Sequence, residues 1–494
     1  MKLYALPDPK KQELCPEKTV CLHDYHIEAP AEWQDTAARM TKLAFLNGDR
    51  PLRWILDAAY GAEAYRMQIA EDAITVRTGG VSGARYATYM LLQAAIHSQV
   101  PTGVIEDYPA MSLRGFLLNM RGPLRYASVQ DICHHIRACG RAKLNTLMIE
   151  YDTRFDHGKY QPYNPWTLSP DDMKTIQACV AEEGIEILPL IQTCGHLSFL
   201  LSQPSLAHLR EEKDVHDQLC PLNPDSLPFV KELIDRYVES HPQAKYLHVG
   251  GDETNQLGHC PRCADYVEKH GKGGLYTQHM NKVIDYVCSK GLTPILYDDM
   301  VCAHPEAMAD LDRRAILMYW DYWTTSDPSP LLVARGGYDW AVVRHKPAWD
   351  DNDFAGLPLP DLQRGIFEVF GKGCDLENEL APAYLERYRP YLGEQFPRFV
   401  KAFPYLEYYR DQGFRVIAMP TALGNTDNYM GAPNQARFIA NVRTFAQRVV
   451  ETDAYGMLTS AWFPFPEAAY PFGITLAGQY AWGLPDYQEQ LYIP

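Results

Sequence analysis

The residues best equipped for chemistry lie at 245–254, Lys-Tyr-Leu-His-Val-Gly-Gly-Asp-Glu-Thr. Asp252 and Glu253 are adjacent carboxylates. Two such groups repel, so one can hold a proton near neutrality while its neighbour stays ionised. That division of labour suits general acid–base work. Tyr246, Leu247 and Val249 make a short apolar run that reads as a buried strand. Gly250 and Gly251 end it, and a backbone without Cβ atoms can turn sharply there or let a ligand approach closely. A solvated acidic turn is the alternative for the pair alone; His248 and the double glycine weigh against it.

The run His248-Val249-Gly250-Gly251-Asp252-Glu253 resembles the signature of glycoside hydrolase family 20, the β-N-acetylhexosaminidases, and is most similar to its hexosaminidase D-like branch. The resemblance extends over roughly residues 60–323 and 413–482. It implies an exo-acting enzyme that removes terminal β-linked GlcNAc or GalNAc with retention. Family 20 departs from the usual two-carboxylate scheme. Glu253 is expected to protonate the leaving group and later to activate water. The substrate's own acetamido oxygen is expected to attack C1, with Asp252 accepting the acetamido N–H. No cofactor is required.

The resemblance also implies binding residues. Arg114, in Leu113-Arg114-Gly115-Phe116, matches the arginine that holds the sugar hydroxyls, and a guanidinium fork suits vicinal hydroxyls. Asn119 stands where many relatives carry an aspartate. Asp152 and His196 follow the second and third expected barrel strands and match an Asp–His relay that tunes the catalytic glutamate; Glu150 is a rival carboxylate. Tyr297, Asp298, Trp320, Tyr322 and Trp462 fall at the ends of strands five, six and eight, where relatives build an acetamido pocket from tryptophans. Aromatic faces there can pack on sugar C–H groups and exclude water. Tyr297 replaces the expected Trp, and Glu467 is a candidate for an outer hydroxyl, after a segment 463–466 unlike that of better-known relatives.

The elements that must position these residues repeat as strand, loop, helix from Leu113 onward. Strands are expected at 113–120, 146–151, 185–192, 246–250, 293–297, 315–320, 414–419 and 456–462, with helices at 128–142 and 170–182. This alternation predicts an α/β fold, a (β/α)8 TIM barrel over 109–494, whose C-terminal rim carries the chemistry. No Gly-rich nucleotide loop supports an open doubly wound sheet instead. Residues 1–108 read as a small α+β domain, with strands at 65–69 and 73–76 and a helix within 79–93. Residues 324–410 break the rhythm and read as an insertion, with one helical stretch near 395–410.

Composition sets outer bounds. The chain has 494 residues and a net charge of −16, which disfavours nucleic acid and anionic membranes as partners. A carbohydrate is the expected partner, with homo-oligomerisation open. No apolar stretch approaches a membrane span. The N-terminus lacks an apolar signal region, and twelve scattered cysteines fit reduced thiols, so a cytoplasmic location is expected. His259-Cys260-Pro261-Arg262-Cys263 contains a Cys-x-x-Cys that zinc could use with Cys220, but no second spaced pair completes a zinc motif. Reduced structural thiols are the favoured reading, with no metal. Two further functions stay open: a conventional glycosidase whose second carboxylate is Asp298 or another strand-end acid, and a non-catalytic sugar-binding barrel.

Overall fold

The computed structural model describes residues 5–95, 97–122, 124–335, 341–345, 371–424, 434–462 and 467–483. The first unit is a mixed six-stranded sheet of β1 (Lys11–Cys21), β2 (Tyr25–Glu28), β3 (Arg50–Leu56), β4 (Tyr65–Ile69), β5 (Ile74–Thr78) and β6 (Gln99–Asp107), in the order β1-β6-β4-β5-β3-β2. Helix Val81–Ala94 packs on it through Tyr86, Tyr89, Met90 and Leu91.

The second unit is the expected barrel. β7 (Leu113–Asn119), β8 (Thr146–Glu150), β9 (Glu186–Leu190), β10 (Tyr246–His248), β11 (Thr293–Tyr297) and β12 (Ile316–Trp320) pair in sequence. β16 (Arg415–Met419) and β18 (Gly456–Ala461) then close the ring, because β18 pairs in parallel with both β16 and β7, and the short β17 (Thr421–Leu423) pairs with β18. Alternation sorts the side chains. Leu117, Met148, Leu188, Ile295, Met318, Ile417 and Leu458 fill the lumen, while Phe116, Leu118, Leu147, Ile149, Leu296 and Leu317 face the outer helices.

Two capping boxes fix helices that follow strands: Ser128 with Asp131 starts Val129–Arg141, and Ser169 with Asp172 starts Pro170–Glu182. The insertion builds a small sheet of β13 (Leu332–Ala334), β14 (Ala341–His345) and β15 (Gly371–Cys374). Residues 336–340 and 346–370 of the expected insertion lie outside the described residues, as do 463–466. Of the one helical stretch expected near 395–410, only Tyr405–Asp411 is helical, with Tyr405 and Tyr409 packed on Tyr319 of β12, and the insertion holds another helix at Pro382–Tyr388. Among the described residues, no helix is long and apolar enough to cross a membrane.

The two units meet in a buried polar network. Trp482, on the last barrel helix Tyr470–Trp482, stacks edge-on against Tyr86 at 5.3 Å and donates its indole N–H to Asp107 at 2.9 Å. Lys143 pairs with the same Asp107 at 2.5 Å, both fully buried.

Candidate functional site

The alternation that fills the lumen also decides what reaches the C-terminal rim. By the same parity, β7 to β11 and the residues just past them present Asn119, Glu150, Gln192, His248 and Tyr297 inward. β12, β16 and β18 present Trp320, Met419 and Trp462. The mouth is therefore polar on one side and apolar on the other, as a pocket for an amphipathic ring requires. Five buried atoms on the polar side, Asn119 Nδ2, Glu150 Oε2, Gln192 Oε1, His248 Nε2 and the Tyr297 hydroxyl, have no hydrogen-bond partner among the described residues. Buried polar groups are normally paired, so such a cluster marks a place built to receive polar groups from outside the chain.

The loop after β10 brings the carboxylates over this mouth. Gly250 and Gly251 take φ of +65° and +86°. At that φ a side chain on Gly250 would be strained, and its Cβ, 1.9 Å from Gln192 Oε1, would also displace Gln192. Tyr276 donates its hydroxyl to the Gly251 carbonyl at 3.0 Å and fixes the turn from below. Glu253 itself sits at φ +46°, a costly conformation for a side-chain-bearing residue, and two other rim residues match it: Asp152 at +50° and His196 at +51°.

His196 binds both carboxylates. Its Nε2 lies 3.3 Å from Asp252 Oδ2 and 3.3 Å from Glu253 Oε2, and Nδ1 lies 3.8 Å from Asp217. The Asp252 charge pushes the imidazole up to about 11, against the opposing effect of burial, so the ring is cationic at neutral pH. Burial alone would raise the Asp252 carboxyl; the His196 charge and hydrogen bond outweigh it and hold Asp252 below its ordinary range. Among the described residues, Asp252 Oδ1 has no hydrogen-bond partner. The Glu253 side chain is half exposed.

Asp299 joins the site without having been singled out. Its Oδ2 accepts the Glu253 backbone N–H at 2.8 Å and its Oδ1 accepts the Trp320 indole N–H at 3.4 Å. Burial, then the nearby Asp252 charge, push it up to about 8, so it is largely protonated at pH 7. Glu150, raised by burial to about 7, is half protonated there. The only sequence signal for Asp299 was its place beside Asp298 after a barrel strand.

On the apolar side the Trp320 and Tyr322 rings lie 5.2 Å apart, and the Trp462 indole N–H donates to the Tyr322 hydroxyl at 2.9 Å. Asp321 secures this turn, accepting the N–H groups of Trp323 and Thr324 at 2.9 and 3.1 Å.

Four expected binding residues are placed differently. Arg114 stands at the N-terminal end of β7 and, by alternation, points outward. Its guanidinium reaches Glu63 of the first unit at 2.5 Å and the Met111 and Lys143 carbonyls, and stacks 5.0 Å over Trp482. It holds the two units together, at the opposite end of the barrel from the mouth. Asp298 is fully buried, bonded by Arg335 at 2.6 Å and by the Tyr409 hydroxyl at 2.7 Å. The insertion's root thereby locks it, and Arg335 also lies 4.6 Å over the Trp320 ring. Asp152 accepts the Thr153 N–H at 2.5 Å and faces Arg121 at 3.8 Å, so the Asp152–His196 relay is not formed; Asp217 takes that place. Glu467 is engaged by His135 of the helix after β7 at 2.9 Å.

A parallel eight-stranded barrel whose C-terminal mouth carries paired carboxylates, faced by an aromatic wall, is the architecture of a barrel-type glycoside hydrolase. Comparison with known proteins narrows the class. Residues 144–352 match the profile of "Glycosyl hydrolase family 20, catalytic domain". The chain is 31% identical over 238 residues to Hexosaminidase D of Bos taurus, covering 45% of this chain and 68% of that protein. It is 32% identical over 223 residues to Hexosaminidase D of Homo sapiens, covering 42% of this chain and 45% of the human protein, less than half its length. The crystal structure of a β-N-acetylhexosaminidase from Bacteroides fragilis NCTC 9343 superposes with a TM-score of 0.65 at 18% identity, covering 99% of this chain and 93% of that one, a likeness of fold. The chain belongs to glycosyl hydrolase family 20, on its hexosaminidase D-like branch, and is a β-hexosaminidase.

Proposed function

We propose that the protein removes terminal β-linked GlcNAc or GalNAc residues by substrate-assisted hydrolysis. The observation that carries this reading is the division of Asp252: Oδ2 is held by His196, while buried Oδ1 has no hydrogen-bond partner among the described residues. An ionised carboxylate so placed accepts the substrate's acetamido N–H and aims the carbonyl oxygen at C1. As the C1–O bond to the leaving group breaks, Glu253 gives its proton to the departing oxygen. The acetamido oxygen forms the new bond to C1, and the positive charge of the oxazolinium is balanced by Asp252. Glu253 then takes a proton from water, which opens the ring with overall retention. Trp320, Tyr322 and Trp462 enclose the acetamido methyl, and Asn119, Glu150 and Gln192 offer hydrogen bonds to the sugar hydroxyls.

The engagement of Asp298 by Arg335 and Tyr409 argues against its use as a nucleophile. Twelve free cysteines support a reducing, cytoplasmic setting. The test is a comparison of β-N-acetylglucosaminides and β-N-acetylgalactosaminides with β-glucosides bearing the same leaving group. Turnover of the N-acetyl substrates alone is expected. Equal rates, or a glycosyl adduct trapped on an enzyme carboxylate, would overturn the mechanism.

A further inference from the structure

The barrel mouth leaves one group of chemically capable side chains unused. Glu211 and Cys220 lie on the long connection after β9; Cys260 and Cys263 flank the start of helix Pro261–Ser289. Cys220 Sγ lies 3.6 Å from both Cys260 Sγ and Cys263 Sγ. With a Glu211 carboxylate oxygen, the four donor atoms all fall within 4.8 Å of one another.

The spacing itself discriminates. A disulfide requires about 2.05 Å between sulfurs. Thiolates held at about 2.3 Å by a tetrahedral zinc ion stand roughly 3.8 Å apart, close to the separation found here. Glu211 adds a second, independent observation. It is 3% exposed, and while one oxygen accepts the Cys260 N–H at 3.1 Å, Oε2 has no hydrogen-bond partner among the described residues. An unpaired carboxylate oxygen in the interior is costly unless a cation meets it. The backbone is prepared on both sides. Cys260 is the N-cap, Pro261 is the first helical residue, and the Cys263 N–H donates to Cys260 Sγ at 3.4 Å, so both sulfurs sit where a helix N-terminus favours thiolates. Opposite them, the Glu211 N–H donates to Gln218 O at 3.0 Å and the Cys220 N–H to Leu209 O at 2.8 Å, which holds those two ligands side by side on the paired arms of one loop.

We propose that Glu211, Cys220, Cys260 and Cys263 bind one structural zinc ion in a tetrahedral three-thiolate, one-carboxylate site. On binding, the three thiols release their protons to solvent. Four protein ligands leave no open position, so the ion takes no part in hydrolysis. Soft thiolates select zinc over calcium or magnesium. The sequence favours unliganded thiols because no second spaced pair completes a zinc motif; it offers Cys220 as a partner but carries no signal for Glu211. The site ties together the two loops that build the catalytic constellation. Asp217, three residues before Cys220, accepts the His196 backbone N–H at 3.3 Å, and Gln218 Oε1 accepts the Gln256 N–H at 2.8 Å, on the segment joining Glu253 to Cys260. The ion thereby sets the distance between His196 and the two carboxylates.

The test is metal analysis of the full chain purified under reducing conditions without added chelator. About one zinc per chain is expected, with loss from Cys220→Ser and Cys263→Ser and weakened retention in Glu211→Gln. Apoprotein reloaded with cobalt alone should show thiolate-to-cobalt charge-transfer absorption in the near ultraviolet and recover its melting temperature. Wild-type protein decides the matter even where a variant fails to fold. A chain that is purified without metal and takes up neither zinc nor cobalt, or a disulfide among these three cysteines in the active protein, would overturn the site. So would full zinc retention in the Cys220→Ser, Cys263→Ser double variant.

Discussion

The Nε2 of His196 lies 3.3 Å from Oδ2 of Asp252, and the same nitrogen lies 3.3 Å from Glu253. One imidazolium thus serves both carboxylates. It keeps Asp252 ionised at neutral pH and leaves Oδ1 without a partner among the described residues.

Replacing His196 with Gln keeps hydrogen-bonding capacity but removes the charge. Without it, burial raises the Asp252 carboxyl, so the acid limb of the kcat/KM profile should move upward, with turnover down on the order of 10- to 100-fold. The sign for stability is opposite to that of a buried neutral histidine. A folded-state value near 11 against an ordinary 6.5 means the contribution is complete below about 6.5 and is lost as pH rises towards 11. Denaturant titrations across that window should show the alkaline loss in the wild type and not in the variant. A profile unmoved by the substitution would remove His196 from this role.

Glu253→Gln keeps the shape and removes the proton donor. Turnover of natural glycans should fall by about 10²–10⁴, and much less with aryl leaving groups of low pKa, which depart with little protonation. The ratio of the two losses is the measurement; equal losses on both substrates would argue that Glu253 is not the acid.

Glu150 carries a pH-dependent liability. Its folded value is raised from 4.5 to about 7 by burial, so the unfolded chain releases this proton first and stability falls as pH rises from about 4.5 to 7. Glu150→Gln should abolish that decline, a difference of up to ~3 kcal/mol at pH 8 in chemical denaturation. Parallel curves for the two proteins would refute the assignment.

Much of this architecture was legible in the sequence, for a physical reason. β8, β11 and β12 are continuous apolar runs because a parallel barrel buries both faces of each strand, and their ends fixed the positions of Glu150, Tyr297 and Trp320. β1 was not visible because its Lys-Gln-Glu-Leu-Cys-Pro-Glu-Lys stretch is almost wholly exposed at a sheet edge and lacks an apolar stripe. Within the site, strand order located Asp252, Glu253 and His196, but partners joined by tertiary contact were hidden. Asp217 lies 21 residues beyond His196, and the Arg335 that locks Asp298 comes from the root of the insertion. Arg114 misled because a strand's first residue and its last lie at opposite ends of a barrel, and motif resemblance does not carry that distinction.

Arg114→Ala tests the corrected placement. Glu63 keeps 22% of its side-chain surface exposed, but the guanidinium is wholly buried and bridges the two units. Its loss should cost about 3–5 kcal/mol of stability, while KM of the folded enzyme stays within about twofold. A large rise in KM without loss of stability would return Arg114 to the sugar site.

Asp252→Asn bears most directly on the mechanism. The amide preserves volume and can still bond His196 or the substrate, but it cannot supply the charge that balances an oxazolinium. Because that positive charge develops only along the reaction, ground-state binding of an unhydrolysed glycoside should change little while turnover drops by about 10²–10³. A thiazoline mimic of the bicyclic intermediate should bind the wild type more tightly than free GlcNAc or GalNAc, and most of that advantage should vanish in the variant. The paired comparison separates two roles for the carboxylate. If Asp252 merely orients the N–H, substrate and thiazoline affinities fall together; if it balances charge, the thiazoline loses far more. Equal losses for the two ligands would leave orientation as its whole contribution, and the proposed charge-balanced intermediate would have to be abandoned.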